Sequence, residues 1–148
     1  MRKISTGAII AIAVTGLFLT LLTSGLLMSY QTVQSGGTIT AVNVGVYSNS
    51  GCTVNATYID WGPLLPGNTT TRTVWVKNIG TANVTLSMTT SNWNPTNANQ
   101  SITLTWDRSN KLLVPNEVTQ ATLTLSVASN ISSSITTFSF NIIITGTG

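Results

Sequence analysis

From Thr38 to the C terminus, apolar and polar side chains alternate with period two, in runs broken by Gly, Pro, Asn and Ser. Successive side chains of an extended chain leave opposite faces, so such a run can bury one face and wet the other. No stretch of useful length carries apolar residues at helical spacing. The alternation predicts strands at 38–47 (TITAVNVGVY), 53–61, 71–78, 83–90, 101–107, 111–114, 118–127 and 136–145, separated by turn signals such as SNSG, PLLPGN, NIGTA and VPNE. Seven or eight short strands in roughly 110 residues predict an all-β domain over 38–148, an immunoglobulin-like antiparallel β-sandwich.

The same alternation assigns the inward face. Val74, Val76, Val84, Leu86, Met88, Ile102, Leu104, Trp106, Ala121, Leu123, Leu125, Val127, Phe138, Phe140, Ile142 and Ile144 each share one side of a strand with their apolar neighbours. At about 1.5–3 kcal/mol per large apolar side chain buried, this set supports a fold without disulfide or metal. Two residues break the phase. Trp75 lies between Val74 and Val76, and Ile143 sits between two inward isoleucines, so both are predicted on an outer face as interface candidates.

Ahead of this domain, residues 1–28 predict one hydrophobic helix. The run from Ala8 to Met28 has no charge. Its 21 residues, at about 1.5 Å each, make about 31 Å of helix, the thickness of a bilayer's hydrocarbon core. Arg2 and Lys3 precede it, which puts everything after Tyr30 outside the membrane. Three fates are open: an uncleaved anchor, favoured by a run longer than a signal peptide needs; cleavage at the small-residue site ending in Ser35; or a prepilin-like cut near Gly7. Residues 29–37 (SYQTVQSGG) read as a flexible linker.

Only 6% of the residues are charged, so hydroxyls and amides must wet the surface. Beyond the first three residues, Arg72, Lys77, Arg108 and Lys111 stand against Asp60, Asp107 and Glu117, scattered too thinly to track a phosphate backbone; no nucleic-acid partner is expected. Cys52 is the single cysteine, which excludes an intramolecular disulfide. No histidine is present, so neither a Ser-His-Asp triad nor a histidine metal site can be built. The three carboxylates are not paired by sequence. The expectation is a non-enzymatic protein without cofactor or metal.

Five N-x-[ST] sequons, at Asn55, Asn68, Asn83, Asn99 and Asn130, fall on polar strand faces or in loops and are glycosylation candidates in an exported chain. Trp61, Trp75 and Trp93 are the aromatic candidates should the domain bind carbohydrate instead.

The stretch IDWGPLLPGNTTTRTVWVKNIGTANVTLSMTTSNWNP (59–95), followed by LLVPNEVTQATLTLSVAS, resembles extracytoplasmic Ig-like modules in which a PG-x-T turn leads into an R-T-V-x-V-K-N-x-G strand. It is similar to small archaeal surface proteins with one N-terminal hydrophobic helix, and more distantly to archaeal bundling-pilus subunits and the TasA/camelysin family of biofilm-fibre subunits. The resemblance implies a pilus- or fibril-like subunit joined by donor-strand exchange. The donated strand would be 38–47, with Ile39, Val42, Val44 and Val46 at the interface. The expected location is the cell surface, anchored in the membrane through residues 8–28 unless cleaved, or secreted. A homopolymer or an envelope partner is implied, the alternative being a monomeric membrane-anchored envelope or binding module.

Overall fold

The computed structural model describes residues 33–148. The predicted helix, the Gly7 candidate and residues 29–32 of the predicted linker lie outside the described residues. No helix among the described residues is long and apolar enough to cross a membrane.

Among the described residues nine strands follow in order: β1 Val33–Val42, β2 Gly45–Tyr47, β3 Tyr58–Leu64, β4 Thr69–Lys77, β5 Val84–Asn94, β6 Ile102–Trp106, β7 Leu112–Leu113, β8 Val118–Val127 and β9 Thr137–Thr147, with a 3-10 turn Thr96–Gln100 before β6. They form two sheets, β3-β1-β9-β5-β7 and β2-β4-β8-β6. All pairings are antiparallel except β1 with β9, which run parallel. The described residues are therefore all-β in two sheets, an arrangement compatible with a β-sandwich. One apolar core takes side chains from both sheets, including Leu86, Phe140, Ile142 and Ile144 from the first and Val76, Ile102, Leu123 and Leu125 from the second. The sixteen residues assigned inward by alternation are all in or against this core, with Met88, Leu104 and Trp106 at its partly exposed margin.

Several boundaries differ from expectation: the strand predicted at 53–61 is Tyr58–Leu64, the one predicted at 83–90 runs on to Asn94, and two further differences fall on β1. The predicted strand 38–47 is two strands in two sheets. Asn43 takes a left-handed backbone (φ 60°), which a short polar side chain tolerates, and its Nδ2 donates to the carbonyl of Gly146 at 3.2 Å. The chain crosses there from the first sheet to the second. The predicted linker is the other correction: Val33–Gly37 is the first half of β1. Gly36 and Gly37 serve close approach rather than flexibility, since a Cβ at Gly36 would overlap the Tyr58 hydroxyl and one at Gly37 would lie 3.2 Å from Ile142 Cδ1. The register also shifts between Ser35 and Gly36, the mark of a bulge.

Strand directions define two ends. The first residue of β1 pairs with the last of β3, Val33 with Leu64. The β3–β4, β5–β6 and β8–β9 connections therefore gather at this entry end. They are tied together by bonds from the N–H groups of Gly67 to Val127 O, Val127 to Asn68 O and Ala128 to Ser101 O. The β1–β2, β4–β5 and β6–β8 connections share the far end with the last residues of β9.

Candidate functional site

β1 is the element whose position the rest of the sheet depends on. It lies between β3, with six paired residues, and β9, with nine. Neither neighbour is joined to it by a hairpin: β3 follows after β2 and a loop, and β9 follows after seven intervening strands. Val33 is fully buried and Ile39 is 7% exposed, so the strand inserts side chains into the core as well as closing the sheet. Asn43 and Val44 are all that link it to β2.

The interface candidates divide accordingly. Ile39, Val44 and Val46 are core residues here, not surface ones, because their strands pair within their own chain. Val42 is 41% exposed at the far end, where Ile79, Leu112, Val114 and Val118 are exposed as well. Trp75 and Ile143 are half-buried on the outer faces of different sheets, so they form no common patch. Trp75 stands between Tyr47 and Gln120 on the neighbouring strands, and Ile143 between Thr40 and Thr89. Ser35, the processing candidate, is 8% exposed inside β1 with its hydroxyl near Gly62 O at 3.4 Å. A cut there would have to precede folding and would take Val33 out of the core.

All five sequon asparagines are exposed. Asn68, Asn99 and Asn130 lie at the entry end, in the β3–β4 turn, the 3-10 turn and the β8–β9 loop. Asn83 precedes β5 at the far end, and Asn55 forms an isolated bridge with Tyr47 beside β2.

The R-T-V-x-V-K-N-x-G stretch is scaffold. The Arg72 guanidinium reaches from β4 to β3, donating from Nε to Asp60 O at 2.9 Å and from Nη2 to Trp61 O at 3.0 Å, with its centre 6.0 Å from the Trp61 ring centroid. It stitches the two sheets where β3 edges one and β4, beyond short β2, edges the other. Asn78 is fully buried: its Nδ2 donates to Ala82 O (2.8 Å) and Leu113 O (3.1 Å), and its Oδ1 accepts from Gly80 N (2.9 Å). A buried amide so satisfied fixes the β4–β5 turn at the far end.

The carboxylates each accept from a backbone N–H: Asp60 and Glu117 from nearby Gly62 and Val114, and Asp107, just after β6, from Thr122 of β8. The Val114 bond, with Lys111 Nζ 3.1 Å from the carboxylate, holds the Glu117 carboxyl below its usual value. No group of three metal-ligating side chains occurs among the described residues. Cys52 takes φ 51° in the β2–β3 loop and is half-exposed.

The three candidate tryptophans do not converge. Trp61 is 2% exposed in the core, with its indole N–H unpartnered; Trp75 is on an outer face. Trp93 closes the opposite seam from Arg72, between the outer end of β5 and β6. Its ring stacks on Phe140 (centroids 4.2 Å apart, planes at 10°), and its Nε1 donates to Thr90 Oγ1 at 3.2 Å. Trp93 lines an open hollow of about 340 Å³ together with Thr90, Asn99, Ile102, Thr103 and Leu104. Alternation placed Trp93 in a turn and gave no sign of this stack, since the residues it meets are some 45 positions later in the chain. No protein-family model and no curated protein matches the sequence.

Proposed function

We propose that this chain is a non-enzymatic cell-surface subunit of a pilus- or fibril-like assembly, an immunoglobulin-like sandwich held at the membrane through residues 8–28 or released by cleavage, whose copies are joined by exchange of β1. The observation that supports this reading is the place of β1 itself. It is an interior strand supplied by the N-terminal end of the domain, tied to the body by two residues and to its sheet partners by no hairpin. Such a slot is filled equally by the chain's own strand or by the same strand of a second copy, with the same hydrogen bonds and the same glycine fit at Tyr58. The ends also differ in balance: three sequons and the exposed Leu65 at the entry end, the Asn83 sequon and five exposed apolar side chains, Val42, Ile79, Leu112, Val114 and Val118, at the far end. The intrachain pairing of β1 favours the second reading, a self-complemented monomeric envelope module.

A disulfide reports which strand fills the slot. Thr38 and Tyr58 are directly opposite and both exposed. In a Cys52→Ser background, Thr38→Cys with Tyr58→Cys, oxidised on cells, is expected to give a ladder of covalent multimers on non-reducing gels and fibres by electron microscopy. A monomer band alone, with no fibres, overturns exchange in favour of the monomer.

A further inference from the structure

We propose that Asn99 carries an N-linked glycan whose first sugar is seated in the hollow beside Trp93. Three observations meet there. Asn99 opens a sequon with Ser101 and is exposed on the 3-10 turn, which presents its side chain to the hollow it helps to line. The hollow has about 340 Å³, at the low end of the roughly 300–1,000 Å³ of small-ligand sites, which suits one or two sugar rings rather than a long chain. Its lining is of two kinds: Trp93, Ile102 and Leu104 are apolar, while Thr90, Thr103 and Asn99 are polar. A pyranose has the same division, with C–H bonds on its faces and hydroxyls round its rim. The C–H face carries partial positive charge and meets the negative face of an aromatic ring. Trp93 is fixed for this role, because Phe140 backs it and Thr90 holds its N–H.

Modification joins Asn99 Nδ2 to the anomeric carbon of an oligosaccharide carried on a polyprenyl diphosphate. The carrier leaves with the bonding electron pair as the amide gives up one proton. Asn68 and Asn130 share this end of the domain, but neither lines the hollow, so their glycans extend into solvent. The inference rests on the exported location proposed above, and its test separates the two.

The full chain is expressed in a eukaryotic secretory host, and its glycopeptides are mapped by mass spectrometry. Asn99 is expected to be occupied by N-acetylglucosamine. In the folded glycoprotein the N-acetyl methyl or ring protons of that sugar should show an upfield ring-current shift that vanishes on denaturation. Ser101→Ala, which removes the sequon but keeps Asn99, should lower Tm by about 2–5 °C in the Trp93 protein and leave it unchanged in a Trp93→Leu background. The proton shift needs no variant, so a Trp93→Leu chain that fails to fold leaves the test standing. Glycans at Asn68 or Asn130 with none at Asn99, or an Asn99 sugar without the shift, overturn the seat alone. A secreted chain with no glycan at any sequon overturns the seat alone, whereas a chain retained in the cytosol overturns the exported location as well.

Discussion

The two sheets meet along two seams, and the chain closes them by opposite means. At the β3/β4 seam Arg72 reaches across and donates to two successive backbone carbonyls, Asp60 O and Trp61 O. At the β5/β6 seam Trp93 lays its ring on Phe140 and leaves a hollow beside it. The polar clasp has fixed geometry, because both acceptors are backbone atoms of a paired strand. The aromatic plug has area instead of direction, so it fills most of the gap and tolerates what it does not fill. A chain with 6% charged residues spends one of its few cations on a structural bond, which argues that the β3/β4 seam cannot be shut by packing alone.

Trp93→Ala should be the largest perturbation at either seam. Removing a large aromatic from a partly buried stack costs about 3 kcal/mol, the low end of the range for fully buried rings, and strips cover from Phe138 and Phe140. Denaturant unfolding of the unglycosylated chain checks it. Trp93→Phe, which keeps the stack but drops the bond to Thr90, should lose less than half as much. Equal losses for the two would mean that Thr90, not stacking, holds the seam.

Arg72→Ala should cost less, about 1–2 kcal/mol, since the guanidinium is only half-buried and its two acceptors regain water when it leaves. Lysine is the sharper probe. A point charge with a flexible stem cannot serve Asp60 O and Trp61 O in the planar fork that Arg72 uses, so Arg72→Lys should recover little of the loss. Full recovery by lysine would reduce the clasp to its charge and the contrast between the seams to one of burial.

These seams also mark where the sequence stops being legible. Alternation located the strands and placed Val74, Val76, Leu123, Phe140 and Ile142 inward, because burial of one strand face is a local, period-two property. It carries no information about partners. The parallel pairing of β1 with β9 joins residues about a hundred positions apart, and nothing in TITAVNVGVY names NIIIT as its neighbour. Glycine misled in the same way: Gly36-Gly37 has the composition of a linker, and only the Tyr58 ring lying against it shows why side chains are excluded. Arg72 and Asn78 were visible as a motif, but their chemistry depends on carbonyls from other strands. Of the site candidates, the sequons were legible as triplets. What set Asn99 apart was a hollow built by two strands of different sheets and a turn.

The smallest effect tests how far the polar device of the Arg72 seam works without burial. Glu117 repeats it in solvent, accepting the Val114 N–H with Lys111 beside it. Those two contacts favour the charged carboxylate, so its folded value lies below the ordinary 4.5. A depressed folded value means stability that is fully present above the unfolded value and lost as pH falls through the folded one. Glu117→Gln should therefore lower Tm slightly at pH 7 and not at all well below pH 4.5, where the native carboxyl is itself protonated. High salt should shrink the neutral-pH difference further, since the Lys111 contact is exposed to screening. A difference that persists unchanged into acid would assign Glu117 to the geometry of the turn rather than to charge. The rule drawn from Arg72 would then hold for position alone: a side chain closes a gap by where its atoms stand, and ionisation adds to that only when solvent is kept out.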